Sequence, residues 1–290
     1  MRLVDSHHHL WDITKQYYPW LTDRVRRVEY GDYSRIRRNY LLSDFRRDIG
    51  PLNVEKSVHV QAEHDPLDPV SESRWLQHIA DETGSGGFPH AIVAFVDLSL
   101  DDAPKILDGH QQYRNVRGVR QMLHFGDASA FLNNPKWRRN LRELAGRGLS
   151  FDLQIRHSQM EDAAAIVGLN PDISFVLDHA GCPPLQNQTE LDAWTCGIEV
   201  LAKRPNLSVK LSGFGMFDPN WTAESVRPVV KTLIEAFGVT RCMFGSNFPV
   251  DSLMKDYVSI WAGFSEAVAD FSESDRELLF ARNVERIYRI

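Results

Sequence analysis

Arg2-Leu3-Val4-Asp5-Ser6-His7-His8-His9-Leu10-Trp11-Asp12 starts apolar and turns polar within the length of one strand. Seven further short runs have a similar cast: Lys56–Ala62, His90–Asp97, Val116–Leu123, Leu149–Gln154, Ile173–His179, Leu207–Gly213 and Arg241–Asn247. Gly, Pro, Asn or charged residues bound each of them, as expected around strands. Segments of helical period lie between them, over 34–49, 69–83, 101–113, 135–147, 160–168, 191–203, 223–237 and 255–271, with a last one over 273–288. Strands alternating with helices imply parallel pairing through right-handed crossovers. An open dinucleotide-binding sheet would carry GxGxxG after its first strand. That place holds His7-His8-His9-Leu10-Trp11-Asp12, so the sequence predicts the closed α/β alternative, a (β/α)8 TIM barrel forming a single domain over 1–290.

Composition supports a packed core. The chain has 290 residues, 43% hydrophobic and 25% charged, which excludes a disordered or collagen-like chain. Thirty-three basic against 39 acidic residues give a net charge of −6, which argues against a nucleic-acid partner. No apolar window reaches the length of a membrane span, so no membrane partner is expected. The first residues turn acidic and His-rich without an apolar core, unlike a signal peptide. Cys182, Cys196 and Cys242 are odd in number and match no CxxC spacing, which suits a reducing cytoplasm. The arginine-rich stretch from Arg24 to Arg47 reads as a solvated helix face. The expected partner is a small-molecule substrate, and a homo-oligomer is compatible with the composition.

In such a barrel the C-terminal ends of the strands converge on one site. Those ends carry His7 and His9, Gln61 and Glu63, Asp97, Arg120 and Gln121, Gln154, Asp178 and His179, Lys210 and Ser212, and Asn247. His7 and His9 stand two apart on a strand and share a face. His8 points the other way, to pack against a helix, and Asp5 is expected on the face of His7 and His9, one layer deeper. Paired imidazoles bind a divalent cation, a carbonyl or a carboxylate. His179 supplies a third ring to the same cavity.

The stretches Asp5–Asp12, Gly118-Val119-Arg120, Leu177-Asp178-His179-Ala180-Gly181, Val209–Gly213 and Met243-Phe244-Gly245-Ser246-Asn247-Phe248-Pro249-Val250 resemble the amidohydrolase superfamily. More closely, they resemble its amidohydrolase-2 group of sugar-lactone and 2-pyrone-4,6-dicarboxylate lactonases. The resemblance spans nearly the whole chain and implies a hydrolase that opens a cyclic carboxylic ester of a sugar acid or dicarboxylic acid. It implies that His7, His9 and His179 polarise the carbonyl, with one divalent metal, zinc, held by the same three residues, or with none. Arg120, Gln154 and Lys210 would orient an anionic or hydroxylated substrate, the planar fork of Arg120 suiting a carboxylate. Trp11, with Tyr18, Trp20 and Phe248, would wall the pocket.

One position departs from the pattern. The group ends its eighth strand with Asp in a Ser-Asp-Trp-Pro run, and here the run is Ser246-Asn247-Phe248-Pro249. Asn has no basic carboxylate, so Asn247 is left to hydrogen-bond a water or hydroxyl. The superfamily's bridging lysine on strand four is also missing, so no two-metal site is expected. Three routes stay open: Asp251 or Glu63 serves as the base, a single metal ion acidifies the water, or water is not activated and the lactone isomerises in ring size. A non-catalytic ligand-binding relative is the remaining alternative.

Overall fold

The computed structural model describes residues 1–25, 31–124 and 132–290. Eight parallel strands follow in chain order: β1 (Leu3–His8), β2 (Val54–Val60), β3 (Ala91–Phe95), β4 (Val116–Met122), β5 (Ser150–Gln154), β6 (Phe175–Leu177), β7 (Leu207–Leu211) and β8 (Cys242–Phe244). The seam back to β1 is closed just beyond β8, where Asn247 N–H donates to the His7 carbonyl at 2.7 Å and His9 N–H to the Phe248 carbonyl at 2.7 Å. The result is the expected single-domain TIM barrel. Its principal helices are α1 (Leu42–Ile49), α2 (Pro69–Asp81), α3 (Ala103–His110), α4 (Pro135–Arg147), α5 (Met160–Gly168), α6 (Gln188–Ala202), α7 (Ala223–Phe237), α8 (Tyr257–Ala267) and α9 (Asn283–Tyr288), the last preceded by a helical turn and a π-turn. Among the described residues, no helix is long and apolar enough to cross a membrane.

Alternation along each strand divides the apolar residues in two. Leu3, Ile92, Val119, Phe151, Leu177, Val209 and Phe244 join the large cluster shared with the helices. Val4, Val58, Val60, Ala91, Val93, Val176 and Met243 form a second cluster inside the barrel. Ala281, Val284, Ile287 and Tyr288 complete that inner cluster, so α9 stoppers the N-terminal mouth of the barrel. The opposite mouth is left for the polar strand ends.

Two local expectations are corrected. The segment 34–49 is not one helix: a single turn at Ser34–Ile36 precedes α1. Between them, Tyr40 pairs antiparallel with Trp11 through reciprocal backbone hydrogen bonds of 2.9 Å, so tertiary pairing wins over helical period. The arginine-rich stretch passes through Arg26 and Arg27, which lie outside the described residues. Asp5 does not share the face of His7 and His9. A register shift between Asp5 and His8 inserts an extra residue in β1, and Asp5 turns outward to Tyr257 on α8. His8 faces outward as expected, stacked on Phe45 of α1 with ring centroids 4.2 Å apart.

Several histidines are buried as neutral rings. His110 sits between Ser73 Oγ and the Phe95 carbonyl, each at 2.9 Å, and burial pulls its pKa down to about 4. Burial likewise takes His59 down to about 3. An imidazole of depressed folded pKa contributes stability that is present above its unfolded pKa of about 6.5 and lost below it. Each ring is expected to cost about 1.4 kcal/mol per pH unit below that value. Unfolding free energies from urea titrations at pH 7.5 and 5.5 should therefore differ by about 3 kcal/mol from these two rings alone. A flat profile would show that the rings take up protons in the folded state.

Candidate active site

His9 and His179 are fixed through one nitrogen each. The Nδ1 of His9 lies 2.7 Å from the Val60 carbonyl, so it carries the proton and donates. The Nδ1 of His179 lies 3.1 Å from Ser212 Oγ, at the end of β7. This leaves Nε2 of both rings free of protein partners among the described residues. Gly213 is required here: its φ is +70°, and a Cβ would lie 2.6 Å from His179 Nδ1. His7 stands between them, its ring 5.1 Å from that of His9 and 4.5 Å from that of His179. Its Nε2 is buried without a partner. Burial foremost, with Lys210 near His7 and Arg120 near His9, holds both rings neutral, well below the ordinary imidazole range. Burial also takes His179 down to about 3.

Beneath the rings lies a file of buried charges that the sequence reading missed. Lys210 Nζ reaches Asp152 Oδ2 at 2.5 Å, Asp178 Oδ1 at 3.0 Å and His7 Nδ1 at 3.4 Å. Asp178 Oδ1 is also 3.5 Å from His7 Nδ1. From the stoppered end, the Tyr288 hydroxyl donates to Asp152 Oδ2 at 2.6 Å. Burial works against the Asp178 carboxylate, but Lys210 foremost, with Arg120 behind it, overcomes this and holds Asp178 well below the usual carboxylate range. Lys210, expected at the substrate, instead lies fully buried between two carboxylates. Arg120 is likewise turned inward: its Nη1 donates to Gln154 Oε1 at 2.9 Å, its Nη2 to the Gln61 carbonyl at 2.7 Å, and Asp178 stands 3.5 Å away. Among the described residues, only its Nε lacks a partner.

At the rim, Asn247 and Asp251 form a pair, with Asn247 Nδ2 donating to Asp251 Oδ1 at 2.8 Å. Burial raises the Asp251 carboxyl to about 7, against the opposing hydrogen bonds from Asn247 and the Gly215 backbone. Glu63 is half-buried, its Oε1 accepting from Gln61 Nε2 at 2.6 Å. Glu63, His179 and Asn247 all hold positive φ, at 54°, 51° and 54°. Non-glycine residues pay for that conformation with about 1–3 kcal/mol each, and such strain gathers at functional sites. Trp11 is fully buried, its Nε1 donating to the Arg38 carbonyl at 2.7 Å, and its ring stacks behind His9 at 6.3 Å. A surface cleft of about 300 Å³, lined by Arg114, Arg117, Arg147 and Arg289 among others, lies at the opposite end of the barrel from these residues.

The profile of a known family, described as Amidohydrolase, matches residues 4–290 of the chain. The chain belongs to the amidohydrolase-2 family. This amidohydrolase is 42% identical, over 99% of its own length and 98% of the other's, to a protein named Uncharacterized protein y4mH from Sinorhizobium fredii. It is 26% identical to an L-fucono-1,5-lactonase of Burkholderia ambifaria, over 99% of this chain and 95% of that one. Its fold is similar to that of an amidohydrolase from Burkholderia multivorans solved with bound zinc, at a TM-score of 0.84 and 24% identity with complete coverage of both chains.

Proposed function

We propose that this amidohydrolase opens a lactone of a sugar acid by hydrolysis. The supporting observation is a cluster of three neutral imidazoles at one end of the barrel, with Asp251, a carboxyl whose pKa is raised to about 7, hydrogen-bonded to Asn247, whose backbone amide is joined to the His7 carbonyl. Full-length similarity to L-fucono-1,5-lactonases supports the substrate class. The rings of His7 and His179 present an N–H to the carbonyl oxygen, where charge develops as the carbonyl carbon becomes tetrahedral, while His9, its proton on Nδ1 toward Val60, offers Nε2 as an acceptor to a substrate hydroxyl. Water adds to that carbon, and Asp251, held by Asn247, takes its proton. The ring C–O bond then breaks, the leaving alkoxide recovers a proton from Asp251, and a hydroxy acid departs.

By residue type, His7, Asp178 and His179 offer ligands to one divalent ion, on condition that His7 presents a lone pair at Nε2. Neutral imidazoles are metal-ligand forms, the buried Nε2 of His7 has no partner, and His7, Asp178 and His179 each offer a ligand atom, all within 4.8 Å of one another. Zinc held by these residues would act as a Lewis acid on the carbonyl.

The test is a panel of sugar-acid lactones, L-fucono-1,5-lactone among them, followed by pH indicator and proton NMR. Acid release above the spontaneous rate from at least one lactone is expected. Ring-size change without acid release would make the protein an isomerase, and no turnover of any lactone would overturn the reading.

A further inference from the structure

We infer that Lys210 is the built-in cation of this site, and that by donating a hydrogen bond to His7 it turns that ring toward a carbonyl oxygen and away from a metal ion. The inference deepens the reading above at the same residues. An ammonium has donors and no acceptor. Lys210 Nζ, 3.4 Å from His7 Nδ1, therefore meets a lone pair there, which puts the ring proton on Nε2. That nitrogen is the one without a protein partner. An Nε2–H is a hydrogen-bond donor for a carbonyl oxygen, whereas a metal needs the opposite tautomer, a lone pair on Nε2. His7 could adopt it by turning an Nδ1–H onto Asp178 Oδ1 at 3.5 Å, but that is a long contact to an oxygen whose charge Lys210 Nζ already neutralises at 3.0 Å, without a hydrogen bond to it.

The ammonium is not free to leave. Asp152 grips it at 2.5 Å, Tyr288 in turn donates to the same Asp152 oxygen at 2.6 Å, and the Tyr288 ring lies 5.3 Å from Nζ. Arg120 adds a second positive charge on Asp178. The one carboxylate of the candidate ligand group is thus already matched by two side-chain cations. A divalent ion entering there meets fixed like charge in a region of low dielectric.

The experiment is Co²⁺ titration followed by visible absorption, repeated with Zn²⁺ by calorimetry. It compares the protein with a charge-balanced double variant, Lys210→Met with Asp152→Asn. Affinity for both ions is expected to rise about 10- to 100-fold in the double variant, as large as the loss that follows when a supporting outer-shell partner is removed but opposite in sign. In the unaltered protein, ¹⁵N NMR of the histidines should show His7 protonated on Nε2. That measurement needs no variant, so the inference stays testable even if the double variant does not fold. Unchanged or weaker metal affinity in a folded double variant, or an Nδ1–H on His7 in the unaltered protein, would overturn it. Neither readout depends on lactone turnover, so a failure of the lactonase reading is seen separately.

Discussion

Asp251→Asn is expected to lower kcat/KM for lactone opening about 10²- to 10⁴-fold, the range of a positioned general base. The pH profile identifies the cause. A base must be unprotonated to accept the water's proton, so activity of the unaltered protein should rise with pH and level off above about 7, where burial has placed the Asp251 carboxyl. In the variant that rising limb should vanish. Stability should move oppositely. A carboxyl whose folded pKa is raised binds its proton more tightly folded than unfolded, so it weakens the fold as pH climbs from about 4 through 7. Replacing it with an amide removes that cost, and the variant should be more stable at pH 8 although less active. Equal activity at every pH would remove Asp251 from the mechanism and leave Glu63 as the remaining carboxylate of the original expectation.

The second large effect is on the fold. Lys210→Ala leaves Asp152 and Asp178 without their shared cation, both fully buried. Breaking a buried ion pair from one side costs about 3–5 kcal/mol, because the stranded charge has no water to turn to. Urea unfolding should show that loss near pH 7.5. Adding Asp152→Asn removes one stranded charge and should recover a substantial part of it. If the two losses add instead, the two residues are not coupled through the 2.5 Å contact.

The barrel was readable because each strand is a short apolar run ending in polar residues, and because the helices start and stop on strong signals. Asn134, for instance, caps α4 by accepting from the Lys136 and Trp137 amides, and Pro135 follows it. The ring cluster was readable for a related reason, since alternation places His7 and His9 together. What alternation cannot reveal is an extra residue inside a strand, and so the period of two places Asp5 on the face of His7 and His9 although the bulge turns it outward. The buried charges were harder. Asp152 and Lys210 are 58 positions apart, and Tyr288 is 136 positions from Asp152. A signal did exist in Phe151-Asp152-Leu153 and Val209-Lys210-Leu211, opposite charges each flanked by apolar neighbours on strands that must face a common interior. Reading strand ends alone put Lys210 at the substrate. Positive φ at Glu63 left no trace in composition, whereas His179 and Asn247 are residue types enriched in that conformation.

Tyr288 bears on the order of events during biosynthesis. Ribosomes extend chains at about 5–20 residues per second, N-terminal portions first. His7 is made 281 residues before Tyr288, yet the hydroxyl that steadies Asp152, and through it Lys210 beside His7, belongs to the last turn of α9. The nascent barrel carries its interior carboxylates, lysine and unsealed apolar lumen until that turn has cleared the exit tunnel. The lumen is sealed and its charges settled only after Tyr288 has emerged.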